Sequence, residues 1–219
     1  MTIPPPAGHQ TPTPQQPAAI EPGFEVALHA FWEKNRKLVL ALCVAALVVI
    51  IGREGWQYYA AQQEAGVREQ YARIADRPEQ LAAFAAANAD HALAGVAYLQ
   101  IADAKYVAAD YRAAAENYKK AAAIIKNAGL LGRAKLGAAM SQMNAGDQAG
   151  AEAALKAASA DTALPRGSRA EAFYHLATLA HDAGNAAEVG RLLAEINKID
   201  ANGVWAQRAT TLLASKSGL

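Results

Sequence analysis

The side chains able to do chemistry are few and scattered. Five histidines stand at His9, His29, His91, His175 and His181. None belongs to an H-E-x-x-H pair, the spacing that sets two imidazoles on one helix face around zinc, and His175 and His181, at i and i+6, fall on different faces. No G-x-S-x-G elbow, G-x-x-x-x-G-K-[ST] loop or G-x-G-x-x-G turn occurs. The only cysteine, Cys43, sits among apolar residues. No acid, base, nucleophile or ligand set converges, so the sequence predicts no catalytic residue, no metal and no cofactor. The histidines read as surface or groove residues. Met140 and Met143, at i and i+3, read as core filler or as part of a recognition face.

The elements that carry these residues begin with a hydrophobic one. Leu38 to Gly52 is fifteen positions without a polar or charged side chain. At ~1.5 Å per residue it covers ~22 Å, short of a ~30 Å hydrocarbon core, so its flanks decide the reading. Phe31 and Trp32 precede it, and Trp56, Tyr58 and Tyr59 follow, placing aromatic rings near both headgroup layers, while Lys37 and Arg53 extend their charges outward. A cleaved signal peptide fits less well, because Arg53-Glu54-Gly55-Trp56 is no Ala-x-Ala-like site and 37 residues is long for the segment before it. Lys34, Arg36 and Lys37 crowd one side, whereas Arg53 stands alone on the other until Arg68. The positive-inside tendency then puts the N-terminus in the cytoplasm and the following domain across the membrane. The interface anchors are Trp32, Lys34, Arg36, Lys37, Arg53, Trp56 and Tyr59, and the bilayer is the first partner.

Five segments follow. Seven of nine prolines lie between Pro4 and Pro22, so residues 1–23 are expected as a disordered tail. Residues 24–37, with Phe24, Leu28, Phe31 and Trp32 at i, i+4, i+7 and i+8, are expected as an amphipathic helix lying at the interface. Residues 38–56 form the transmembrane helix, 57–90 a linker with N-terminal helices, and 91–219 a repeat domain. A formal net charge of +1 gives no reason to expect nucleic acid. A domain without cysteine must hold by packing alone.

Behind the anchor the chain is alanine-rich and repeats itself. With Asp110, Asp147 and Asn185 aligned, 37 and 38 residues apart, Ala102, Ala139 and Ala177 stand eight before. Ala114, Ala151 and Val189 stand four after, Tyr118, Leu155 and Leu193 eight after, and Ala121, Ala158 and Ile196 eleven after. Gly146 and Gly184 precede two of the turn residues; glycine can end a helix with positive φ, and Asp or Asn can cap the next. Ala113 and Ala153 are expected to face solvent. Trp205, Ala209, Leu212 and Leu213 mark a final helix that covers the last repeat.

This pattern resembles the tetratricopeptide repeat, a helix-turn-helix unit whose small residues let paired helices approach closely. The fold expected is all-α: a single transmembrane helix followed by an α-solenoid of helix pairs. The resemblance implies that the first helix of each pair lines a groove. Its candidate residues are Leu99, Asp103 and Tyr106, then Leu136, Met140, Met143 and Asn144, then Tyr174, Thr178 and His181. Aromatic and methionine side chains with scattered polar groups suit a peptide or helix rather than a small-molecule substrate. Equally, another part of the same chain can cover this face.

The whole arrangement is similar to the YfgM-type ancillary subunits of the bacterial SecYEG translocon, through Phe31-Trp32-Glu33-Lys34-Asn35 before the span, Gly55-Trp56-Gln57-Tyr58-Tyr59 after it and the repeats behind. That resemblance implies a non-enzymatic, single-pass protein of the inner membrane with a periplasmic domain. It would associate with SecYEG and with a membrane-anchored periplasmic chaperone of the PpiD prolyl-isomerase type, helping secreted chains leave the channel. A structural accessory subunit of another inner-membrane or envelope-assembly complex is the alternative, and an enzyme with an unrecognised site the remote one.

Overall fold

Short capping residues divide this chain into helices. The computed structural model describes residues 23–214, with side chains through Leu212; the proline-rich tail with His9, and the side chain of Leu213, lie outside the described residues. The elements are α1 (Gly23–Ile74), α2 (Pro78–Ala87), α3 (Ala92–Val107), α4 (Tyr111–Ile124), α5 (Ala128–Asn144), α6 (Gln148–Ala160), α7 (Arg166–Asp182), α8 (Ala186–Asp200) and α9 (Val204–Ala214). No strand occurs among the described residues. The described residues fall into two compact units, divided between Ala61 and Gln62.

In the first unit α1 is apolar and long enough to cross a membrane, and no α1 residue is buried. The segment 24–37 is helical and continuous with the apolar run. α1 passes through Lys37 and Leu38 without interruption. The reason is local: between Gly23 and Gly52 there is neither proline nor glycine to break the hydrogen-bond ladder.

In the second unit the pairs α3/α4, α5/α6 and α7/α8 are built from one turn design. The Asp110, Asp147 and Asn185 amides donate back to the carbonyls of Lys105, Gln142 and Ala180 at 2.9, 2.9 and 2.8 Å, closing the first helix with a Schellman motif. Their side chains then accept from Ala113, Gly150 and Glu188 amides at 3.4, 3.0 and 3.2 Å, opening the second. The residue before each takes positive φ: 58° at Ala109, 84° at Gly146 and 71° at Gly184.

The aligned small residues lie where the paired helices meet. Ala102, Ala139 and Ala177 are fully buried, as are Ala114 and Ala151, and Tyr118, Leu155 and Leu193 fill the space beside them. Ala153 is exposed, but Ala113 is half-buried, contrary to expectation, because it lies in the first turn of α4 beside the capping Asp110. At the N-terminal end of the stack Val67, Tyr71 and Ile74 of α1 pack on Leu81, Phe84 and Ala85 of α2. At the other end α9 buries Ala206 and Ala209 against α7 and α8.

Candidate protein-binding groove

One carboxylate of α3 gathers polar side chains from α4 and α5. Asp103 accepts the Tyr118 hydroxyl at 2.7 Å on Oδ1 and Arg133 Nη2 at 2.5 Å on Oδ2. Tyr118 sits this deep because position 137 is glycine: a Cβ there would come within 2.7 Å of the Tyr118 ring. Burial first, then its hydrogen bond to the Asp103 carboxylate, pushes the Tyr118 phenol well above its ordinary value. One helical turn on, Asn144 Nδ2 donates to Tyr106 Oη at 2.8 Å, tying α5 to α3 again, and Tyr111 meets Tyr106 edge-on at 5.3 Å.

These contacts frame a cleft of about 320 Å³ bounded by Tyr106, Arg133, Leu136, Met140, Ser168 and Glu171, with Gly137 in its floor. It offers an aromatic ring, a flexible thioether, a guanidinium that is 59% exposed and a carboxylate, all from the first helices of three successive pairs. Such a surface can seat a side chain of a polypeptide and bond its backbone; the described residues contain no cluster of three or more His, Cys, Asp or Glu able to hold a metal ion. A larger cleft of about 460 Å³ lies between α6, α7 and α8 over Phe173, Leu176 and Leu192. Its cations are paired, Lys156 with Glu152 at 2.6 Å and Arg191 with Glu188 at 2.6 Å, as Arg133 is with Asp103, and neither tyrosine nor methionine lines it.

A family model described as tetratricopeptide repeat-like domain matches residues 29–157, more than half of the chain. The chain belongs to the tetratricopeptide repeat-like family. The matched region starts inside α1, so it takes in the apolar run as well as α3 to α6. No curated protein matches the chain. Tetratricopeptide-like repeats are scaffolds for protein-protein contact, and that is the general role this family membership gives the domain.

Within the tetratricopeptide-like stack, the residues singled out from sequence separate into two sets. Asp103, Tyr106, Leu136, Met140 and Asn144 come together at or beside the cleft. Leu99 does not line a groove: it is 3% exposed in the core with Tyr118 and Ala138, because the neighbouring pair covers it. Leu136 is also almost buried and presents only an edge. Met143 packs on the C-terminal core. Tyr174 is covered by its own chain, with the Trp205 ring of α9 at 5.2 Å and His175 also against Trp205 at 5.7 Å. Thr178 gives its hydroxyl to the His175 carbonyl at 2.7 Å, and His181 stands at the end of α7 beside Asp182. Arg133, Glu171 and Ser168 were not anticipated. Arg133 and Glu171 both stand fourteen residues before their turn residue, a register position whose polarity was the available signal.

On α1 the interface residues are all available to solvent or lipid, Trp32 at 50%, Trp56 at 73% and Tyr59 at 58% exposure, with Trp56 and Tyr59 neighbours at 6.5 Å. Lys34, Arg36, Lys37 and Arg53 are likewise exposed.

Proposed function

We propose that this protein is a membrane-anchored scaffold whose cleft at Tyr106, Arg133 and Met140 receives segments of other polypeptides. The observation that carries the reading is the convergence of these three side chains with Glu171 on the first helices of three pairs. α1 would hold that cleft close to a membrane complex, where tethering makes weak contacts act at high effective concentration. Its N-terminus would be cytoplasmic and the repeats periplasmic. The finer reading, supported by the aromatic and basic motifs on either side of the apolar run, is an ancillary SecYEG subunit that also meets a PpiD-type chaperone.

Affinity purification from native membranes tests this. SecYEG subunits and the chaperone should be enriched with the intact protein, and less so with an Arg133→Glu, Met140→Lys double variant that retains its circular dichroism spectrum. Enrichment of neither contradicts the translocon reading. A stoichiometric partner from another complex, resistant to salt and dilution, points instead to a structural accessory subunit.

A further inference from the structure

From Gly23 to Ala61 no residue of α1 is buried, yet its apolar residues are not distributed at random. Steps of four and three alternate from Phe24 to Leu28, Phe31 and Asn35, run through Leu38 and Leu42, and reach Trp56 and Tyr59 beyond the apolar run. Inside that run any spacing would be apolar, so the informative positions lie outside it. There the seam holds Phe24, Leu28, Phe31, Trp56 and Tyr59, exposed at 77, 54, 56, 73 and 58%, plus one amide, Asn35. Glu25, Glu33, Lys34, Arg36, Lys37, Arg53 and Glu54 all fall off it.

A period of 3.5 residues drifts by ~20° per heptad around a straight helix, and stays on one side only when two helices wind left-handedly about each other. With Leu28 and Leu42 at a and Phe24, Phe31 and Leu38 at d, Asn35 occupies an a position. A single asparagine at a fixes register and favours two parallel strands. We propose that α1 pairs with α1 of a second copy of this chain, in parallel and in register, along the seam from Phe24 to Tyr59.

The single amide at Asn35 favours a second copy as the occupant, and charge admits it. The basic cluster would repel itself if its members faced one another across the seam. In the in-register pair, each g position faces the e position five residues on: Lys34 meets Val39, and Val48 meets Arg53. No like charges cross. Two copies inserted the same way are also parallel without further cost, and Ala45 and Gly52 at d let the backbones approach inside the apolar run.

Cysteine cross-linking of the full chain in native membranes tests the pairing, on a Cys43→Ala background with one new cysteine at a time. Positions 28, 31, 35, 38 and 42 should give a product of twice the chain mass at roughly fivefold or more the yield at 29, 33, 36 and 40, following the 3.5-residue period. The natural Cys43, at b, should cross-link poorly. Phe31→Asp should cut the yield of Leu42→Cys by a similar factor. Even yields, a different period, a product of another mass or indifference to Phe31→Asp each overturn the proposal. Carbonate extraction of the same membranes reports separately on the span: release of the chain contradicts the membrane reading, while the periodicity decides the pairing.

Discussion

Ala109 is a strained residue in an otherwise repeated turn. Its φ of 58° matches that of Gly146 and Gly184, but an L-residue with a Cβ pays for the left-handed region where glycine does not. Ala109→Gly should therefore raise the stability of a chain beginning at Gln57 by about 0.5 to 1 kcal/mol in urea unfolding, after the entropy glycine costs in the unfolded state. Tyr118 makes a second prediction. Its folded-state pKa is raised, by burial first and by Asp103 next, above that of an unfolded tyrosine, near 10. The stability linked to the neutral phenol is present in full below about pH 10 and is lost as pH rises from there toward the folded value. Between pH 8 and pH 11 the wild-type unfolding midpoint should fall more steeply than that of Tyr118→Phe; a residual slope remains, since burial also raises Tyr71. Parallel slopes would mean that Tyr118 is not held neutral by its surroundings.

The pairing of helices was legible in the sequence because the residues that enforce it recur. Ala102, Ala139 and Ala177 could be aligned through Asp110, Asp147 and Asn185, and a fully buried alanine between paired helices leaves no room for growth. Ala139→Leu should destabilise by ~1 to 3 kcal/mol through overpacking, while Ala153→Leu, on an exposed face, should stay within about 0.5 kcal/mol. Equal melting temperatures would show the pairing geometry to be wrong. The groove was less legible. Leu99, Leu136 and Tyr174 share one register position, eleven before the turn, but what covers that position differs from pair to pair. Leu99 goes to the core, Leu136 shows an edge, and Tyr174 meets Trp205. Periodicity announces that α9 is amphipathic; it does not say on which ring its tryptophan will rest. Arg133 and Glu171 were not legible as cleft residues, since charged residues on helix faces are ordinarily solvated; only the contact of α5 with α7, and the bonds that tie α5 to Asp103 and Tyr106 of α3, turn them into cleft walls.

At the scale of the whole molecule, the chain joins a helix able to cross a membrane to a stack that offers a polar-aromatic cleft at Tyr106, Arg133 and Met140. The orientation proposed for it has a direct check: protease added outside spheroplasts should remove the repeats while sparing a tag at Met1, and loss of the tag instead would reverse the topology. The family match supports contact with other proteins in general, and the cleft at Met140 is where such contact should be found. Site-specific photo-cross-linking in living cells addresses that most directly, with a photoreactive amino acid at position 140 or, for comparison, at the exposed position 153. Position 140 should yield discrete adducts with other polypeptides, abolished by Arg133→Glu in the same chain, whereas position 153 should yield few. Equal adducts from both positions, or adducts at 140 that ignore Arg133→Glu, would contradict a scaffold that works through this cleft.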